Sequence, residues 1–92
     1  MTLGDKLKRL RESKGLVQRE VGAVIGLDGT FISQVERSKK PINRKHLKSL
    51  ASFFSTDEAE LQMLWLSDKI YHIIEKEKTA KKSIQNVLDR LN

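Results

Sequence analysis

Between Gln18 and Val35 the chain reads QREVGAVIGLDGTFISQV, and the spacing of its apolar residues and glycines leaves few folds open. With Gln18 as the first position, Val21, Ile25, Leu27, Ile32 and Val35 fall at positions 4, 8, 10, 15 and 18. Two short helices that cross steeply across a tight turn bury apolar side chains at those offsets. Gly22, at position 5, stands where the second helix packs against the backbone of the first and a Cβ would clash. Gly26, at position 9, stands where the chain leaves the first helix, a place for a residue with φ > 0. Asp28 precedes the second helix and can cap its free N–H groups. All seven apolar and glycine positions fit one spacing. A generic helical hairpin shares the periodicity but not this combination.

The charge is as uneven as the pattern is local. Residues 1–50 hold twelve Lys/Arg against five Asp/Glu, whereas residues 51–92 hold six against seven. The formal net charge of +6 therefore belongs to the half that carries the pattern, and a polyanionic partner for that half follows. The absence of cysteine excludes a disulfide scaffold and any thiolate metal site. His46 and His72 lie 26 residues apart without neighbouring ligands, so neither a metal nor a cofactor is expected. The longest apolar run, the four residues Met63 to Leu66, is too short to span a membrane. The start, MTLGDKLKRL, has no apolar signal core and reads as mature protein, so a cytoplasmic location is expected. Ninety-two residues make one all-α unit with a single core, divided here into residues 1–61 and an extension over 62–92.

The remaining elements follow from periodicity and turn chemistry. Leu3, Leu7 and Leu10 give a helix over Leu3–Lys14, closed by Gly15. The first helix of the central pair starts at Val17 or Gln18 and runs to Ile25. Val17 has no side-chain acceptor, so a cap worth about 1 kcal/mol is missing. The second, Gly29–Arg37, turns Ile32 and Val35 inward and leaves Gly29, Thr30, Ser33, Gln34 and Arg37 outward or flanking. Five of the nine residues from Arg37 to Lys45 are basic, around the chain's one proline, which reads as a loop. Asn43 caps a helix over Arg44–Phe54 with a core stripe of Leu47, Leu50, Ala51 and Phe54. Ser55 with Glu58 reads as a capping box for a helix from about Asp57 to Lys78, bending near Lys76–Lys78. Thr79 then caps a last helix to Leu91, with Ile84, Val87, Leu88 and Leu91 on one face.

The segments LKRLRESKGLVQREVG, VIGLDGTFISQVERSKKPI and LKSLASFF occur in the order and spacing of a known family. Over residues 1 to about 61 the chain resembles the Cro/cI-type (XRE) helix-turn-helix family. The resemblance implies a lambda-repressor-like five-helix domain that binds double-stranded DNA, with helix 29–37 entering the major groove. It implies that Gly29, Thr30 and Gln34 face base edges, with Ser33 beside them. Gln34 can donate and accept together, which suits adenine, and Thr30 offers one hydrogen bond and a methyl group. Phe31 either packs beneath the helix or touches a thymine methyl. Gln18 is implied to hold a phosphate near a helix N-terminus, and Arg37, Lys39, Lys40, Arg44 and Lys45 to contact the phosphate backbone. Arg11 is implied to pair with Glu36. Two positions depart from the family: Val17 replaces the Thr or Ser cap, and Ser38 replaces a glycine, which points to a less strained or differently shaped turn.

The resemblance stops before the last 30 residues, whose apolar faces must be buried somewhere. Either the last helix folds back on the preceding one, or these helices pair across a two-fold axis as a homodimer. The residues available for pairing are Leu66, Ile70, Tyr71, Ile73, Ile74, Ile84, Leu88 and Leu91. A dimer matches a near-palindromic operator, since one recognition helix reads only a few base pairs. The expected function is sequence-specific transcriptional regulation, as in phage repressors or restriction-modification controllers, with RNA polymerase a further partner for an activator. The alternative is an antitoxin-like module whose C-terminal helices cover a toxin. No nucleophile–base pattern and no glycine-rich phosphate loop is present, so catalysis is not expected. No stretch announces a ligand pocket.

Overall fold

Thr2 and Asp5 open the fold by satisfying each other's backbone. The Thr2 hydroxyl accepts the Asp5 N–H at 3.0 Å, and the Asp5 carboxylate accepts the Thr2 N–H at 3.0 Å. The backbone N–H of Thr2, and then its hydroxyl, hold the Asp5 carboxyl below the ordinary aspartate range. From this box runs α1, Leu3–Ser13. It ends where Gly15, at φ 65°, lets its N–H reach the Glu12 carbonyl at 3.0 Å and the Leu16 N–H reach that of Arg11 at 3.1 Å. That is a Schellman closure at the glycine the spacing marked.

The computed structural model describes all of residues 1–92. It continues with α2 (Gln18–Ile25), α3 (Gly29–Glu36), a 3₁₀ turn (Arg44–His46), α4 (Leu47–Phe54), α5 (Glu58–Ile74) and α6 (Ala80–Arg90). There are six α-helices and no strand. The core gathers Leu3 and Leu7 of α1, Val21 of α2, Ile32 and Val35 of α3 and Ile42 of the following loop. Leu47, Leu50, Ala51 and Phe54 of α4 and Leu61 and Leu64 of α5 complete it. Burying each large aliphatic side chain contributes roughly 1.5–3 kcal/mol, so these few contacts fix how the helices sit.

Two glycines let backbones approach. A Cβ on Gly22 would collide with the carbonyl oxygens of Leu27 and Asp28, so the turn folds directly over α2. A Cβ on Gly4 would meet the carbonyl oxygens of Val35 and Glu36, the latter at 2.7 Å, which sets how closely α1 crosses the end of α3. The sequence pattern marked the first of these; the second lies outside it.

Several expected boundaries are corrected. Ser55 does not begin a capping box with Glu58: it closes α4 in the left-handed conformation, and Asp57 caps α5 by accepting the Ala59 N–H at 3.0 Å. The first turn of the expected helix 44–54 is 3₁₀, with Asn43 accepting the Lys45 N–H at 3.0 Å. Thr79 stands at the start of α6 but its hydroxyl makes no capping bond. Helix α5 ends at Ile74, earlier than expected, and the chain turns before α6. Nor is the turn at Ser38 relaxed by the missing glycine. Ser38 keeps φ 58°, a conformation that costs a residue with a Cβ about 1–2 kcal/mol. Ser38→Gly is therefore expected to raise stability by about 1 kcal/mol and the melting midpoint by roughly 4–8 °C, as read by calorimetry. An unchanged midpoint would show that the serine conformation carries no strain.

Leu64 is the last buried core residue, and past Trp65, which packs against the core half-buried, no further hydrophobic side chain joins it. Helix α6 buries no residue, and no helix is long and apolar enough to cross a membrane. The molecule is accordingly elongated, 41 × 25 × 21 Å.

Candidate nucleic-acid interface

The interface is built on the N-termini of α2 and α3, which lie side by side. Val17 has no oxygen with which to cap α2, as the sequence indicated, and only the reverse half of a capping box forms. Glu20 Oε1 accepts the Val17 N–H at 2.9 Å. The backbone amides of Gln18 and Arg19 have no partner within the protein and lie at the positive end of the helix dipole. At α3, Asp28 Oδ1 accepts the Phe31 N–H at 2.8 Å, the cap expected from the sequence.

Between these two helix starts lies a shallow groove lined by Gln18, Arg19, Asp28, Gly29, Thr30 and Ser33, with Val17 at its edge. The structure thus brings Gln18 together with three of the residues expected to face bases. Arg19 joins them, and sequence reasoning missed it; the signal was a cation in the first turn of an uncapped helix, next to Gln18. Gly29 has a second reason to be glycine. A Cβ there would stand 3.1 Å from the Arg19 nitrogen and 3.2 Å from its Cα, so the close approach of the two helix starts depends on it. Phe31 is half-buried against the core, which favours the packing alternative.

Behind the groove, Glu36 holds the assembly together. Its side chain is 3% exposed and accepts Arg11 Nε at 2.7 Å, Arg11 Nη2 at 3.0 Å and Gln18 Nε2 at 3.1 Å. The Glu36 hydrogen bond, reinforced by its charge, raises the Arg11 pKa above the ordinary guanidinium range. Arg11 Nη1 also donates to the Leu16 carbonyl at 2.9 Å. One carboxylate therefore ties α1, the α1–α2 turn and the start of α2 to the end of α3. Gln18 is only partly available to an external phosphate, since one of its two amide N–H bonds is spent on Glu36.

The basic loop leaves the far end of α3. The backbone N–H groups of Lys39 and Lys40 both donate to the Gln34 carbonyl, at 2.8 and 3.3 Å, so the loop begins against α3. Arg37, Lys39, Lys40, Arg44 and Lys45 are all exposed, while Ser33 and Gln34 are half-exposed on α3. Arg37 Nε folds back towards the Ser33 carbonyl at 3.4 Å. Arg44 is drawn elsewhere. Its Nε and Nη2 donate to Gln62 Oε1 at 3.1 and 2.8 Å, and its guanidinium lies 4.6 Å from the Trp65 ring centroid. Arg44 therefore faces α5 rather than the groove.

A comparison with protein families matches residues 2–64 to the family described as a helix-turn-helix domain. The matched span closes at the last core residue, Leu64. Comparisons with curated proteins and with solved structures return no significant match.

Proposed function

The chain belongs to the helix-turn-helix domain family, and on that premise we propose that it regulates transcription as a homodimer on a near-palindromic operator. Helix α3 enters the major groove with Thr30, Ser33 and Gln34 towards base edges. The uncapped start of α2, with Gln18 and Arg19, takes one phosphate, and Arg37, Lys39, Lys40 and Lys45 take others, while Arg44 stays with Gln62 and Trp65. The observation that carries this reading is the shared groove of Gln18, Arg19, Gly29, Thr30 and Ser33, because it sets the uncapped N-terminus of α2 beside polar side chains on the basic half of the chain.

Base-edge and phosphate contacts separate by their selectivity. Gln34→Ala is expected to cost about 1–3 kcal/mol on the preferred site and to relax preference at one base pair. Lys40→Ala is expected to weaken all sequences alike and to lower the slope of log K against log salt by about 1. Fluorescence anisotropy on cognate and scrambled duplexes at several salt concentrations measures both. Unchanged discrimination in the first variant, or a sequence-selective loss in the second, reverses the assignment.

Selection of genomic fragments by the purified protein tests the whole reading. A palindromic motif with half-sites about one helical turn apart supports it. Absence of any enriched motif, together with a tightly co-purifying second chain, would instead favour an antitoxin-like module held by its C-terminal helices.

A further inference from the structure

On the side of α3 away from the groove, a cleft of about 440 Å³ opens between the start of α1, the loop Ser38–Ile42 and α5. Its volume lies in the range of small-molecule sites. The lining is apolar at Leu3, Ile42, Trp65 and Ile73. Trp65 is held in place: its indole Nε1 donates to the Ile42 carbonyl at 2.8 Å, and Lys69 Nζ lies 4.6 Å from the ring centroid. The charges around this apolar lining are one-sided. Lys39, Lys40 and Lys69 line the cleft, against the single carboxylate of Asp68. That carboxylate is already engaged, with Oδ2 accepting the Leu3 N–H at 3.1 Å. His72 is turned to Glu75, its Nδ1 3.0 Å from Oε2.

We propose that this cleft binds a small organic anion with an apolar body, a medium-chain monocarboxylate by class, and that its occupation opposes DNA binding. The apolar body covers Trp65, Ile42 and Ile73, and the carboxylate pairs with the three lysines, where a charge-assisted hydrogen bond is stronger than a neutral one. A neutral ligand of the same shape leaves the lysines unpaired, so charge complementarity selects the anion. The second half rests on the function proposed above. Lys39 and Lys40 serve both sites, so a carboxylate held by them competes with phosphate, and the coupling is reciprocal.

Trp65 is the chain's one tryptophan, so its fluorescence reports the cleft directly. The full chain, without DNA, is titrated with octanoate, octanamide and acetate, and calorimetry repeats the octanoate titration. Saturable binding of octanoate is expected, at least about tenfold tighter than either control, with a loss of about tenfold in Lys69→Gln, the size of one charge-assisted hydrogen bond. Circular dichroism checks that the variant is folded. Absence of saturation, equal binding of octanamide, indifference to Lys69→Gln, or a response that vanishes as protein concentration rises because a second copy fills the cleft would each overturn the site. Octanoate is then added to the protein–DNA complex, where weaker DNA binding is expected. Octanoate binding without that change overturns the competition. Absence of DNA binding under any condition, with octanoate binding intact, marks a failure of the DNA reading and not of the cleft.

Discussion

Arg11→Ala is expected to cost about 3–5 kcal/mol of folding stability, because it strands a buried carboxylate. The Glu36 side chain is 3% exposed and that of Arg11 14%, so water cannot replace the two guanidinium bonds at 2.7 and 3.0 Å. Gln18 would remain as the one donor of the three, and it is neutral. The cost comes from the unpaired charge, not from the worth of the pair. Two charges taken out of water barely repay their desolvation, so replacing both with apolar residues of similar length is expected to recover most of the loss. Arg11→Met combined with Glu36→Met supplies that control, and urea unfolding followed by circular dichroism measures all three proteins. A loss of about 1 kcal/mol or less in Arg11→Ala would class the pair with exposed ion pairs. Domains of this size have only about 5–15 kcal/mol in total, so the variant is also made with Ser55→Gly, which relieves a φ of 52° at the far end of α4. The consequence reaches function, since Glu36 ends α3 and Arg37 follows it directly. A loosened Glu36 lets α3 and the basic loop lose their common orientation.

How much of this was legible in the sequence depends on which interaction decides each feature. The helix pair 18–36 was readable because steric rules act over a few residues: Gly22 under the turn, Gly26 at φ 72°, and Val21, Ile32 and Val35 in the core. The bond between Arg11 and Glu36 was reachable only through family resemblance, since nothing local links positions 25 residues apart. Gly4 escaped notice for the same reason, because the carbonyls that crowd it belong to α3. At Ser55, two local patterns competed. Ser55 with Glu58 fits a capping box, but α4 needs a left-handed residue to close, and Asp57 stands two residues on with an acceptor of its own. Arg44 illustrates the limit for site residues. Its charge marked it for phosphate, but the structure sets it between Gln62 and Trp65, both on α5. The apolar cleft beside Trp65 is likewise assembled from α1, a loop and α5, and no single stretch announces it.

Ile84→Glu combined with Leu88→Glu is expected to convert a dimer to a monomer and to lower affinity for a two-half-site operator by about 10²–10⁴-fold. Helix α6 takes no part in the core of its own chain. It buries no residue, and Leu88 and Leu91 are 51% and 77% exposed, as are Ile70, Tyr71 and Ile73 of α5 at 39%, 61% and 75%. Apolar surface of this extent at one end of an elongated chain fits a self-complementary interface, on the two-fold pairing proposed above. The buried core lies within Leu3–Leu64, so new charges on α6 leave it intact, and the variant should still unfold cooperatively, with a urea midpoint, read by Trp65, that no longer depends on protein concentration. Linking two half-sites through a dimer makes the second binding event intramolecular, and that advantage is what the variant removes. Sedimentation at several concentrations gives the state of association, and titration against full and half operators gives the affinity. The salt dependence separates causes. A monomer on a half-site releases about half the counterions, so the slope of log K against log salt should fall by about half, whereas a damaged recognition surface weakens binding without halving it. A wild-type chain that sediments as a monomer, or a variant that keeps full operator affinity, would move the exposed faces of α5 and α6 to a different partner. The loss of affinity, the halved slope and a folding midpoint freed of its concentration dependence occur together only if the two copies meet through these helices.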